Sequence, residues 1–233
     1  MEESRLPLQK WALAIYMVCT NLKSVSSMKL HRDPGISQCS AWFMMHRIRE
    51  AFPVGFDPFA EPVEVDETYI GGKRKNMPKS KRKVLSGRGA VGKTAVVGAK
   101  DRATNKVAAK VVQSTDAPTL QGFVEDRTEP EEVYTDDASA YVGINRPHES
   151  VNHSIGEYVR EMAHTNGMES FWAMLKRGYQ GTFHHFSAKH LQRYVTEFAC
   201  RHNDRDSDTI VMMTHLVAGM VGKRLTYKAL THG

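Results

Sequence analysis

The sequence predicts an α/β fold: a mixed sheet flanked by helices and preceded by a separate helical region. Three observations carry this. Residues 5–52 place apolar side chains at helical spacing. Between Val63 and Val112 lie three β-branched segments separated by turn residues. From His164 onward the apolar positions return to a helical period.

Bulk properties agree. A chain of 233 residues can bury one substantial core, or a core and a small appendage. With 41% hydrophobic and 25% charged residues it matches neither a disordered nor a membrane protein. The apolar run Trp11–Cys19 is too short to span a bilayer, and Met1-Glu2-Glu3-Ser4 lacks the basic start of a secretory signal, so a cytoplasmic location without membrane partners is expected. Cys19, Cys39 and Cys200 form no C-x-x-C pair, which excludes a disulfide scaffold and a Cys-rich zinc module. The net charge of +6 is modest, so its distribution matters more than its sum.

Leu6 to Cys19 read as a helix apolar nearly all round, suited to burial. Ser26 or Ser27 caps a short helix over Met28–Arg32, Asp33-Pro34-Gly35 breaks the chain, and Ser37 caps a longer helix carrying Trp42, Met45, Ile48, Arg49 and Phe52. Short helix, Gly-containing turn and longer helix suit a helix-turn-helix, and equally a plain three-helix appendage. Pro53, Gly55, Pro58 and Pro62 make residues 53–62 a linker. Beyond it, Val63–Ile70, Thr94–Ala99 and Val107–Val112 read as strands and Asp116–Glu125 as a short helix. Val133–Thr135 is a short strand running into Asp136, and Val151–His153 a small fifth one. The β-branched hairpin at the front argues for a sheet antiparallel first and parallel later. A helix to about Arg177, a break at Gly178 and Gly181, and a long helix from Ser187 to about Arg201 follow; residues 206–233 are amphipathic and basic.

Gly87-Arg88-Gly89-Ala90-Val91-Gly92-Lys93-Thr94 matches a phosphate-binding string. That loop must leave a buried strand and enter a helix so that backbone N–H groups converge on phosphate. Here Pro78–Lys83 is basic and loop-like, and Thr94–Ala99 reads as a strand, which argues against a nucleotide triphosphatase.

The carboxylates are more informative. Alternation puts Val63 and Val65 on one sheet face and Glu64 and Asp66 on the other. Asp136 sits where a parallel strand delivers its last residue to a crevice. Glu169 opens the helix that follows; with Asn166 it could form a capping box, yet it also borders the apolar stripe Met168, Phe171, Trp172, Leu175 and Tyr179, with Lys176 two turns on. Trp172 itself reads as core. Three converging carboxylates repel unless neutralised, and their hard oxygen donors suit Mg²⁺ or Mn²⁺, two ions of which could activate the attacking and leaving oxygens of a phosphodiester.

Longer motifs surround these acids. They are Val65-Asp66-Glu67-Thr68-Tyr69-Ile70-Gly71-Gly72-Lys73, Gly92–Gly98, Tyr134-Thr135-Asp136 through Tyr141, His164-Thr165-Asn166-Gly167-Met168-Glu169-Ser170-Phe171-Trp172, Leu175–Tyr179 and Gly181–His185. Together they resemble the DDE transposases of bacterial insertion sequences, in the ISXO-like branch, with a ribonuclease-H-like catalytic domain. The resemblance covers Val63 to about Asn203, and Ala41–Arg49 resembles that family's helix-turn-helix region. It implies a helix-turn-helix-like DNA-binding region at 1–52, a ribonuclease-H-like DDE domain at 63–205 and a basic C-terminal segment at 206–233. Asp66 and Asp136 become catalytic metal ligands. The third position is Glu169 or Asn166, because this branch can replace the last acid by Asn; the seven residues from Glu169 to Lys176 favour Glu169. The implied activity cuts element ends and joins them to target DNA, in a homo-oligomer on DNA within the bacterial nucleoid. Relatives often carry a Cys-rich zinc ribbon that these cysteines cannot build, so an inactive DNA-binding remnant is the alternative expectation.

Lys73, Arg74, Lys75, Lys79, Lys81, Arg82 and Lys83 place seven basic residues in eleven. As a rule such a run is a solvated loop; beside a phosphoryl-transfer cleft it becomes a phosphate clamp, which Arg177 could extend.

Overall fold

The structure is a computed structural model describing residues 4–53, 55, 57–60, 62–85, 90–129, 132–136, 139–151 and 164–232. Its elements, in chain order, are α1 (Leu8–Thr20), α2 (Ser27–Arg32), α3 (Gln38–Ala51), β1 (Val63–Ile70), α4 (Lys79–Val84), β2 (Thr94–Asp101), β3 (Val107–Val112) and α5 (Ala117–Arg127). Then come β4 (Val133–Asp136), β5 (His148–Val151), α6 (Asn166–Gly178), α7 (Leu191–Asn203), α8 (Thr209–Gly219) and α9 (Tyr227–His232). Among the described residues no helix is long and apolar enough to cross a membrane.

The chain forms two compact units. One comprises Gly55–Lys176 with His185–Gln192, the other Met1–Val54, Arg177–His184 and Arg193–Gly233.

The first unit is built on a five-stranded sheet in the order β3-β2-β1-β4-β5. β1 pairs antiparallel with β2 and β2 with β3, whereas β1–β4 and β4–β5 are parallel. This is the mixed, ribonuclease-H-like α/β arrangement expected. The alternation along β1 does what period-two geometry requires. Val63 and Val65 enter an apolar cluster with Val97, Ala99, Leu120, Phe123 and Val124, so α5 covers that face. Asp116 caps α5 by accepting the Thr119 N–H at 3.1 Å. Gln121 on α5 donates to the Ala140 and Val142 carbonyls, tying down the segment after β4.

The helical unit buries Trp11, Ile15, Val18, Leu30, Met44, Met45, Ile48 and Phe198. Ser26 and Ser37 cap α2 and α3 as expected, with Gly35 in the left-handed region at the turn between them. α1 is not buried all round: Leu8, Leu13 and Tyr16 are exposed, because only one side of it meets other helices. Tyr227 of α9 stands edge-on to Trp42 and Phe43 of α3, so the C-terminal helix lies against α3.

Several boundaries differ from expectation. Part of the basic run is helical: Arg74–Asn76 is a 3-10 turn and Lys79–Val84 is α4. β5 lies earlier than predicted, at His148–Val151, and residues 152–153 lie outside the described ones. Gly178 does not break the chain. Its backbone is right-handed helical, and α6 runs on into one π turn, Tyr179–Phe183, which ends where His184 turns left-handed. Gly178 is needed for space instead, since a Cβ there would collide with the Phe198 ring.

Candidate active site

β1 and β4 carry the two strand acids. Val63 pairs with Val133 and Glu64 with Tyr134; continuing that offset by two residues sets Asp66 level with Asp136. Asp66 Oδ1 accepts the Glu67 N–H at 2.8 Å, and Oδ2 accepts the Trp172 indole N–H at 3.0 Å. Burial, Asp136 and Glu67 nevertheless push the Asp66 carboxyl up to about 7. Burial raises Glu67 as well, with the Tyr141 hydroxyl, which donates to it at 2.8 Å, opposing the rise and Asp136 adding to it. Tyr141 is fully buried, and burial beside that carboxylate holds its phenol far above the ordinary tyrosine range.

The other acid on this face of β1, Glu64, anchors α6. Glu169 N–H donates to the Thr165 carbonyl at 3.0 Å, so Thr165 takes the cap position and Asn166 is the first helical residue. The third helical N–H, that of Met168, donates to Glu64 Oε2 at 3.1 Å. The capping box expected from Asn166 and Glu169 is therefore displaced: a carboxylate from the sheet occupies the helix start, where the helix dipole favours negative charge.

Two glycines let α6 lie this close. Gly167 sits over Glu64 and Lys100, and a Cβ there would fall 2.7 Å from Glu64 Oε2. Gly98, directly opposite Asp66 in the β1–β2 register, lies under Met168 and Trp172. A Cβ on Gly98 would meet the Trp172 ring at 2.8 Å. Gly98→Val is expected to destabilise the fold by about 1–3 kcal/mol and to lift the indole away from Asp66. Thermal unfolding and the Trp172 indole N–H resonance check this; an unchanged midpoint with an unmoved resonance would refute the close-approach role.

The structure thus brings Asp66, Asp136 and Glu67 within electrostatic reach of one another. Met168, Phe171, Trp172 and Leu175 are buried as the stripe predicted, but Trp172 is also a hydrogen-bond partner of Asp66, which its reading as core missed. Asn166, Glu169 and Lys176 are exposed, as is Arg177 at the end of α6. Among the described residues no group of three or more His, Cys, Asp or Glu side chains is disposed to hold a metal ion. Asp137, the acid next to Asp136 in sequence, lies outside the described residues. Of the basic run, Lys73, Arg74, Lys75, Lys79 and Lys83 are exposed and Arg82 is half-buried. Arg74 donates to the Leu85 carbonyl, so it helps to fold its own loop. Thr94 opens β2 rather than a helix, which removes the phosphate-loop reading.

Asp66 and Asp136 suit a divalent cation by their chemistry. Both are hard oxygen donors, and the charges acting most strongly on Asp66 are negative, so positive charge would be stabilised there.

A sheet in this order, with acids on its adjacent parallel strands and a helix laid across them, defines a ribonuclease-H-like α/β domain. The family model of the ISXO2-like transposase domain matches residues 58–203, and the chain belongs to that family. No curated protein matches the chain. Among solved structures, one similar chain comes from the cryo-EM structure of the simian T-cell lymphotropic virus intasome in complex with PP2A regulatory subunit B56 gamma. It is 13% identical, covers 74% of this chain and 67% of its own, and superposes with a TM-score of 0.38.

Proposed function

We propose that the protein is a metal-dependent DNA transposase that cleaves element ends and joins them to target DNA, acting as a homo-oligomer on DNA. The observation that carries this is the Asp66–Asp136 pair on adjacent parallel strands, in a chain of the ISXO2-like family. Asp66 and Asp136 hold Mg²⁺ or Mn²⁺; Glu169, exposed at the start of α6 and not grouped with the two aspartates in the metal-free fold, is recruited as third ligand when the metal binds, with Asn166 as the alternative on the same helix. Two such ions, when bound, supply Lewis acidity to the attacking and leaving oxygens of the phosphodiester. The chain's own groups do the rest. Trp172 fixes the rotamer of Asp66 through its indole N–H. Lys176 meets the DNA backbone two turns beyond Glu169. The exposed lysines between Lys73 and Lys83, with Arg82 and Arg177, bind phosphates without reading sequence.

Strand cleavage and joining, assayed with Mg²⁺ on duplexes built from the sequences flanking the coding region, test this. Wild type is expected to cleave, and Asp136→Asn to lose at least about 10³-fold in rate. Of Glu169→Gln and Asn166→Ala, the first is expected to match Asp136→Asn and the second to retain most activity. Salt-sensitive DNA binding by wild type without any cleavage would instead identify an inactive DNA-binding remnant.

A further inference from the structure

A second cluster lies beneath the start of α6, and it touches the site-bearing elements at corresponding places. Arg102 follows β2. Its turn is fixed by Asp101, whose carboxylate accepts the Ala103 and Thr104 N–H groups at 2.8 and 3.1 Å. From there Arg102 Nε donates to Glu64 Oε1 at 3.1 Å, and Nη2 donates to the His164 carbonyl at 2.7 Å. The guanidinium also lies over the Tyr134 ring, 3.9 Å from its centroid. His164 Nδ1 stands 3.3 Å from the same Glu64 oxygen, and the other Glu64 oxygen takes the Met168 N–H.

The placement is systematic. Glu64 is two residues before Asp66 on β1, Tyr134 two before Asp136 on β4, and His164 two before Asn166 at the start of α6. Strand residues rise about 3.3 Å each, so Arg102 grips each strand some 6–7 Å short of its acid. It is therefore removed from the reacting atoms. The Arg102 and Glu64 side chains are 15% and 4% exposed. An ion pair this dry adds little net stability over apolar packing, but its directional bonds specify one arrangement. A planar fork that bonds in two directions while stacking on a ring is a property of arginine that lysine lacks.

We infer that Arg102 is a positioning residue that holds β1, β4 and the start of α6 in the register that sets Asp66, Asp136 and the α6 site residues against one another. As far as it concerns catalysis, this rests on the transposase reading; the registration of α6 on the sheet is tested separately.

The test compares wild type with Arg102→Lys and Arg102→Ala in the full chain. Two readouts are taken: strand cleavage resolved into kcat and KM for DNA, and the indole N–H resonance of Trp172, assigned by Trp172→Phe among the three tryptophans. Both variants are expected to lose about 10–100-fold in kcat with KM nearly constant, and to shift the Trp172 resonance because the helix moves against Asp66. Arg102→Lys retains the charge and serves if the alanine variant does not fold. A wild-type rate in Arg102→Lys, a loss confined to KM, or an unmoved Trp172 resonance overturns the inference, as does failure of both variants to fold. Should wild type cleave nothing, the transposase reading fails, while the resonance still decides whether Arg102 registers α6.

Discussion

Asp66→Asn is expected to make the metal-free protein more stable at pH 8 while abolishing strand cleavage. The native Asp66 carboxyl titrates near 7 against an ordinary value of 3.8, because it is buried beside Asp136 and Glu67. Between about pH 4 and 7 the unfolded chain releases this proton and the native one keeps it, so the contribution of Asp66 to stability falls as pH rises through that window and is flat above it. Asparagine keeps an oxygen for the Trp172 indole and carries no charge. A shift of about three units corresponds to about 4 kcal/mol at most; for a partly solvated group the expected gain is about 1–3 kcal/mol at pH 8 and nothing at pH 3.5. Mg²⁺ should raise the midpoint of wild type through binding to the native state, and leave Asp66→Asn unaffected. Thermal unfolding at the two pH values, with and without Mg²⁺ and after EDTA, measures all of this. A variant no more stable than wild type at pH 8, or a pH-independent difference, would mean that Asp66 is not held under charge repulsion.

The same site shows what a sequence can and cannot carry. The period-two pattern of Val63-Glu64-Val65-Asp66 already separates a core face from a polar one, because strand geometry is local, and the structure keeps that division. The change from antiparallel to parallel pairing followed from the hairpin and the later strands, whereas the strand order β3-β2-β1-β4-β5 did not. Glu64, Arg102 and Gly98 were not legible, since each acquires its role from a partner far along the chain: Met168 for Glu64, His164 and Tyr134 for Arg102, Trp172 for Gly98. Only after Gly98 is known to face Asp66 across β1–β2 does a glycine in a Val-rich strand stand out as room for a ring. The start of α6 at Asn166 was legible, but its cap was not, for a related reason. Asn166 and Glu169 satisfy a local capping pattern, but the helix starts one residue earlier than that pattern requires: Thr165 takes the cap position, the Glu169 N–H bonds the Thr165 carbonyl, and a carboxylate from β1 takes the Met168 N–H. The motif around Trp172 was legible as an apolar stripe; that its indole also has a polar task depends on the neighbouring strand.

Glu197→Ala is expected to destabilise the helical unit severely. Glu197 Oε2 takes a hydrogen bond of 2.7 Å from Arg49 Nε, with side-chain exposures of 0% and 1%, and Arg201 Nη1 stands 3.9 Å from the other oxygen. Arg49 also stacks over Tyr194, its guanidinium 3.9 Å from the ring centroid, so it cannot swing out to water without giving up that contact. Truncating the acid leaves a buried guanidinium without its counter-charge, which costs about 3–5 kcal/mol, whereas exchanging both partners for apolar side chains of similar volume is often close to neutral. Urea unfolding followed by far-UV circular dichroism should show the midpoint falling by the corresponding amount at constant slope, and thermal unfolding a drop of roughly 10 °C. Arg49→Met combined with Glu197→Leu should recover most of that loss. If Glu197→Ala unfolds within about 1 kcal/mol of wild type, the pair is well enough hydrated that its burial does not govern the stability of this unit.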